Sequence, residues 1–320
     1  MVFARKEALV LFVLCMAVTG LWRPTAVFAA DAPKVVASIG PVHSLVSMVM
    51  AGAGEPEQLL PGTVSPHAYQ LKPSDAARLE QAKVVFWIGP TLETVMRKPM
   101  ETIAINAVSV QLMDARAMTI LPRREGGVLT DSHGADDGHN HGDDGEGQGS
   151  DPHIWLDPVN AIVMLFVISE TLGEVDPENA HLYRANAITG IDRLKQLDSD
   201  LDRLLSAVRT LPYVAFHDAY QYFEARYGLN PLAVIAVDPE HMPGARRISE
   251  VKAALSKSGA RCIFTEPQFE PRLVSTLIEG TGARAGKLDP LGLGLPSGPF
   301  FYEDLLKGMA DDLTSCLIDN

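Results

Sequence analysis

Across residues 177–208 the chain keeps one helical register. Ala185, Ile188, Ile191, Leu194, Leu197, Leu201, Leu204 and Val208 recur at three- and four-residue steps, and charged residues fill the other faces. At 1.5 Å per residue, a helix of ~30 residues would be ~45 Å long. That is long enough to run from one domain to another, and a single rigid helix limits hinge motion more than a Gly/Ser linker would. The alternative is an ordinary core helix broken near Gly190, where glycine costs up to ~1 kcal/mol.

On both sides of this segment, short β-branched runs alternate with helical patterns, the signature of parallel sheets with helical crossovers. The first half offers strands at 34–39, 57–60 and 84–88, with helices near 41–51 and 74–81. The second offers strands at 213–216, 232–237, 262–265 and 284–288, with helices near 219–227, 248–258 and 271–280. The expected fold class is therefore α/β: two similar domains, each a mainly parallel sheet with flanking helices, joined by one long rigid helix. The expected boundaries are 30–176 for the first domain, 177–208 for the linking helix and 209–320 for the second domain.

The N-terminus has a different origin. Arg5 and Lys6 precede an apolar run at 8–18, and small residues follow as far as Ala29, so residues 1–29 read as a secretory signal peptide cleaved after Ala29. The run is shorter than the ~20 residues needed to span a bilayer, and a soluble, periplasmic mature protein is expected. Cys15 follows Leu14, too large for the position preceding a lipid-modified cysteine. Cleavage removes Arg5, Lys6, Arg23 and Glu7 and moves the net charge from -13 to -15. Such a surface disfavours nucleic acid and suits a carrier of cations, or serves solubility alone. Only Cys262 and Cys316 survive cleavage. An even pair in an oxidising compartment predicts a disulfide, with two buried free thiols as the alternative.

Residues 131–150 contain His133, His139 and His141 among six acids and six glycines, with no large apolar residue. Such a composition cannot offset its ordering entropy, so 131–149 is expected to be a disordered loop. Its histidines and acids either gather zinc weakly as an auxiliary metal site or form a solvated linker.

Of the nine histidines, three share one kind of place. His67 lies in a turn-rich loop leaving the strand that ends at Leu60. His217 directly follows the apolar run Tyr213-Val214-Ala215-Phe216, with Asp218 as the expected N-cap of the next helix. Both stand at carboxyl ends of strands, where open α/β sheets bind ligands. His153 stands between Pro152 and a helix expected to be capped by Asp157 with Pro158 at its first position. Zinc takes nitrogen, sulfur or oxygen donors in tetrahedral array, but these three are far apart in sequence and match no local zinc pattern. His43 falls inside a helix and reads as structural, His181 as exposed on the long helix, and His241 as part of a turn after a strand.

Taken together, Leu60-Pro61-Gly62 with Ser65-Pro66-His67, Leu71-Lys72-Pro73-Ser74-Asp75, His153-Ile154-Trp155-Leu156-Asp157-Pro158, Phe216-His217-Asp218-Ala219-Tyr220, Thr265-Glu266-Pro267-Gln268-Phe269 and Leu288-Asp289-Pro290-Leu291-Gly292 closely resemble the zinc-binding solute receptors of ABC importers. Those receptors sit within a wider group of metal receptors that includes manganese members. The resemblance covers nearly the whole mature chain. It implies metal in the cleft between the two domains, with ligand roles for His67, His153 and His217, and delivery of Zn2+ by a monomer to a membrane permease. Manganese members tend to place a carboxylate at the third position, which suits a harder ion, whereas this chain has histidine. Pro66 stands where some zinc members carry a ligating glutamate. The fourth ligand is therefore Asp289, a water or Glu266.

A three-histidine zinc site with an open fourth place also suits a hydrolase. The chain has no His-Glu-x-x-His helix, glycine-rich phosphate loop or serine elbow, so a non-enzymatic carrier is expected. The rival readings are a zinc hydrolase and a receptor or adhesin of the same group that takes manganese or another divalent metal.

Overall fold

Short runs of β-branched residues assemble into two sheets. The computed structural model describes residues 32–124, 126–129, 149–237, 243–269 and 272–318. The expected signal peptide, the loop histidines His133, His139 and His141, and His241 lie outside them. The first sheet takes β1 (Val35–Ala37), β2 (Glu57–Gln58), β3 (Val84–Trp87) and β4 (Val108–Gln111) in the order β2-β1-β3-β4, every pair parallel. Helices α1 (Gly40–Met50), α2 (Pro73–Gln81) and α3 (Arg97–Thr102) make its crossovers. Pro41 and Pro73 sit in first turns, where a missing N–H leaves no helical bond unmade.

The second sheet has the order β5-β7-β6-β8-β9: β5 (Gly127–Val128), β6 (Tyr213–His217), β7 (Pro231–Ala236), β8 (Cys262–Thr265) and β9 (Arg284–Lys287). All its pairs are parallel except β5, which runs antiparallel to β7. Helices α6 (Gln221–Tyr227), α7 (Ala245–Ser258) and α8 (Arg272–Ile278) complete this half. Strand β5 comes from the first half of the chain, so a segment of that half completes the second sheet. Sequence patterning did not predict β4 or β5.

Between the sheets run α4 (Pro158–Val175) and α5 (Ala180–Leu205). Asp157 caps α4 as expected, accepting from Val159 N at 2.8 Å, with Pro158 first in the helix. By length and composition α4 could cross a bilayer. Here it is a core helix whose Ala161, Met164, Leu165, Ile168 and Leu172 are buried and which packs on α1 and α5.

Helix α5 runs unbroken for 26 residues, ~39 Å at the usual rise. Gly190 does not break it. A Cβ at this position would stand 3.0 Å from Leu165 Cδ1 and 3.7 Å from Met48 Sδ, so the glycine serves close approach of neighbouring side chains. Asn186 Nδ2 donates to Val49 O (2.9 Å) and Ala51 O (2.8 Å) in the first half. Asp198 takes Arg226 and Tyr227 from the second. The one rod therefore touches both halves.

Helix α9 (Phe301–Ile318) returns across α1, α5 and β9. Tyr302 N donates to Ser44 Oγ (3.0 Å) and its hydroxyl to Trp155 O (2.7 Å). One core consequently extends from the first sheet through α4, α5, α6 and α9. A smaller core lies beneath α7 and α8. Strand alternation divides β6 between the two: Val214 and Phe216 enter the small core, Tyr213 and Ala215 the large one. His217, next in that alternation, belongs on the side of the large core.

Cys262 on β8 and Cys316 on α9 form the expected disulfide, their Cα atoms 6.2 Å apart. Gly286 on β9 makes room for it, because a Cβ there would lie 2.5 Å from Phe264 Cε1 and 3.1 Å from Cys316 Sγ. The bridge closes a separation of 54 residues, and loops of that order are typically worth about 2–4 kcal/mol. Replacing both cysteines with alanine is expected to lower unfolding free energy by about that amount in denaturant titrations. Reducing the native chain should reproduce the loss, and a melt unaffected by reductant would contradict it.

Candidate metal centre

His217 is the last residue of β6 and is almost fully buried, 3% exposed. His153 is buried at the N-terminus of the short 3-10 turn Ile154–Leu156. His67 is half-buried in the loop after β2, its backbone N–H donating to Ser65 Oγ at 3.3 Å. That loop follows the sheet ladder closely, since Leu59 N and Leu60 N still bond Ala37 O and Ser38 O (2.8 Å each).

These three elements bring one imidazole nitrogen each to within 4.8 Å of the other two. Ring centroids lie 4.9–5.5 Å apart, and His67 Nε2 stands 3.4 Å from His153 Nε2. For nitrogens ~2.0–2.1 Å from a tetrahedral ion, the expected separation is roughly 3.3–3.4 Å. Beside the rings, bounded by Pro66, Trp155, Phe269 and Leu291, is a space of about 10 Å³. That is about the room one water-sized sphere requires.

The outward nitrogens are held by carboxylates. His153 Nδ1 lies 2.7 Å from Asp151 Oδ1, which also accepts the His153 backbone N–H at 3.0 Å. His217 Nδ1 lies 3.3 Å from Glu266 Oε1 and 3.4 Å from Oε2. An ionised carboxylate has no proton to give, so each Nδ1 is the donor and each Nε2 keeps its lone pair. His217 Nε2 is buried and has no hydrogen-bond partner. A buried polar atom of this kind calls for an explanation, and an ion between the rings supplies one. This is the carboxylate–histidine–metal arrangement that orients ligands in metal sites.

The two buried rings differ in proton affinity. Burial drives the His153 imidazole well below its ordinary pKa, and the neighbouring His217 pushes the same way. Burial also acts to lower His217, but Glu266, with Asp218 and Asp151 behind it, reverses the effect and holds it above the ordinary value. Burial lifts Asp151 to about 6 despite the N–H bond it accepts from His153.

The structure does not bring Asp289 to the cluster. Its Oδ1 accepts from Leu291 N (3.0 Å) and Gln268 Nε2 (3.1 Å), and its Oδ2 from Leu293 N (2.6 Å). It lines a separate pocket with Lys287 and Asp312, because the tight turn after Leu288 uses the carboxylate as its own cap. Glu266 stands at Nδ1 of His217 and also lines the space beside the rings. Asp218 is not the helix cap that its place suggests, since α6 begins at Gln221 after Tyr220; it pairs instead with Arg124. His43 lies inside α1 with Nε2 3.1 Å from Pro56 O, and His181 is exposed on α5, both as expected.

Sequence reasoning missed Asp151 and Arg124. Asp151 stands two residues before His153 in Asp151-Pro152-His153, and the proline between them, which confines the turn, was the available signal. Arg124 lies 94 residues from Asp218, and nothing local marks it.

The family model described as zinc-uptake complex component A, periplasmic, matches residues 35–316. The chain is 43% identical over 313 residues to the high-affinity zinc uptake system protein ZnuA of Brucella abortus, covering 90% of this chain and 93% of that protein. It is 34% identical over 302 residues to the protein of the same name from Yersinia pestis, covering 91% and 93%. A crystal structure of ZnuA matches the fold with a TM-score of 0.76 at 24% identity, over 90% of this chain and all of the other.

Proposed function

Because the chain belongs to the family of periplasmic zinc-uptake components, we propose that it captures one zinc ion on His67, His153 and His217 and passes it to the membrane permease of an ABC importer. The observation that carries this reading is the convergence of three imidazole nitrogens within 4.8 Å, two of their rings backed by Asp151 and Glu266. Three nitrogens suit zinc better than manganese, which prefers carboxylate and water oxygen. The two buried carboxylates behind the rings offset the two charges of the ion without occupying its coordination sphere.

The fourth place belongs to a water. Pro66 has no donor side chain, and Asp289 is engaged in its own turn. Glu266 is engaged at Nδ1 of His217, where it orients the ring. A water is also the ligand most readily exchanged, which suits a carrier that must surrender its cargo. The protein works as a carrier in the periplasm, after removal of its signal peptide.

Calorimetric titration of the mature chain tests the reading. One zinc per chain is expected, and a hundredfold excess of manganese should leave the zinc isotherm unchanged. Displacement of zinc by manganese would overturn the assignment of cargo.

A further inference from the structure

Near the metal centre stands one partly buried cation that the proposed zinc chemistry does not use. Arg124, with 18% of its side chain exposed, reaches into the second half of the chain. Its Nε donates to Asp218 Oδ1 (2.9 Å) and Oδ2 (3.2 Å), its Nη2 also binds Asp218, and its Nη1 meets Glu224 Oε2 at 2.8 Å. Both carboxylates are buried.

Each partner belongs to the arm that carries His217. Asp218 is the next residue and continues the ladder through its N–H to Ala236 O (3.1 Å). Glu224, on α6, accepts from the hydroxyl of Tyr213 at 2.9 Å, and Tyr213 begins β6. One guanidinium therefore holds β6 at the ligand end directly and at the other end through Glu224.

The backbone leading to Arg124 belongs to the other arm. Leu121 O accepts from Asp151 N (2.9 Å), and Arg123 N donates to Gly149 O (2.8 Å). Tyr222 of α6 closes the link, accepting from Leu121 N and donating to Asp151 O, both at 2.9 Å. The segment 121–124 thus forms a common support for the turn of His153 and the strand end of His217.

We infer that Arg124 is a positioning residue for zinc capture, setting the His217 arm against the His153 arm through its fork on Asp218 and Glu224. The inference rests on the three-histidine reading above. A planar guanidinium can serve two carboxylates in fixed directions, whereas an ammonium supplies the charge without the geometry.

Two variants separate positioning from charge neutralisation. R124K keeps a cation at this position. The triple variant R124Q/D218N/E224Q removes the cation together with the charges it compensates. Apo unfolding midpoints and zinc affinities, the latter by competition with a chelator, are measured on both and on the parent chain. R124K is expected to fold with a lower midpoint, because an ammonium cannot keep all the contacts of the guanidinium with two buried carboxylates, and to bind zinc about tenfold more weakly; the triple variant is expected to fold and bind about 10–100-fold more weakly, the range for residues that orient ligands. Zinc affinity within threefold of the parent in either variant would overturn the inference. Absence of zinc binding by the parent chain would instead refute the underlying site, so the two failures are distinguishable.

Discussion

Replacing His217 with alanine is expected to weaken zinc binding by at least ~100-fold, beyond the 10–100-fold typical of residues that only orient ligands. The residue supplies Nε2, which is buried and has no hydrogen-bond partner, on a ring held at Nδ1 by Glu266, and the cluster among the described residues has only His67 and His153 besides. The variant should fold, because β6 remains paired on both sides, to β7 and β8. Its apo form should nevertheless melt earlier than the parent, since Glu266 keeps its burial and loses its partner. Competition with a chelator gives the affinity, and far-ultraviolet circular dichroism checks the fold. An affinity unchanged by the substitution would remove His217 from the site.

Acidification is the second large effect. Zinc binds imidazole only in its neutral form. His153 is held neutral by burial and gives protons little purchase. His217 is held above the ordinary histidine pKa, Glu266 outweighing burial, so in mildly acidic solution the metal-free site carries a proton that zinc must displace. The sign follows: affinity is greatest above that raised pKa and falls as pH drops through it. Below it the loss is about tenfold per pH unit from this ring. The proton displaced is the one on Nε2, because Nδ1–H donates to Glu266 throughout. Titrations in buffers of different ionisation enthalpy should therefore show proton release on zinc binding in mildly acidic solution, His217 giving up to one proton and Asp151, lifted to about 6, a fraction of another. A pH-independent affinity, or binding without proton release, would contradict the assignment.

The physics explains why some elements were legible in the sequence and others were not. Strands β1, β3, β6 and β8 announce themselves because buried parallel strands need continuous apolar runs. The period of α5 survives as far as Leu205 because one face packs throughout. Strand β4 is an edge strand with Val108 exposed, so its composition is only half apolar. The two residues of β5 have no signal of their own and exist by pairing with β7. Gly190 reads as a weak point until Leu165 and Met48 are seen against it.

At the site, the three histidines were marked by strand ends and by the resemblance of their motifs. Asp151 was not, because it reaches His153 only through a local turn; Glu266 was marked as a possible fourth ligand, whereas its place at Nδ1 of His217, across 49 residues, no local pattern reveals. Asp289 illustrates the converse. Its motif resembles that of relatives, but whether a carboxylate faces a metal or caps its own loop is decided by the backbone N–H groups of Leu291 and Leu293, which no residue spacing reveals.

A crystal structure of the zinc-loaded mature chain tests the central claim most directly. The account predicts one zinc ~2.0–2.1 Å from Nε2 of His67, His153 and His217, a water oxygen as the fourth ligand, and Asp151 and Glu266 still on the Nδ1 atoms. Zinc coordinated by fewer than three of these histidines, or by an oxygen of Asp289, would contradict it.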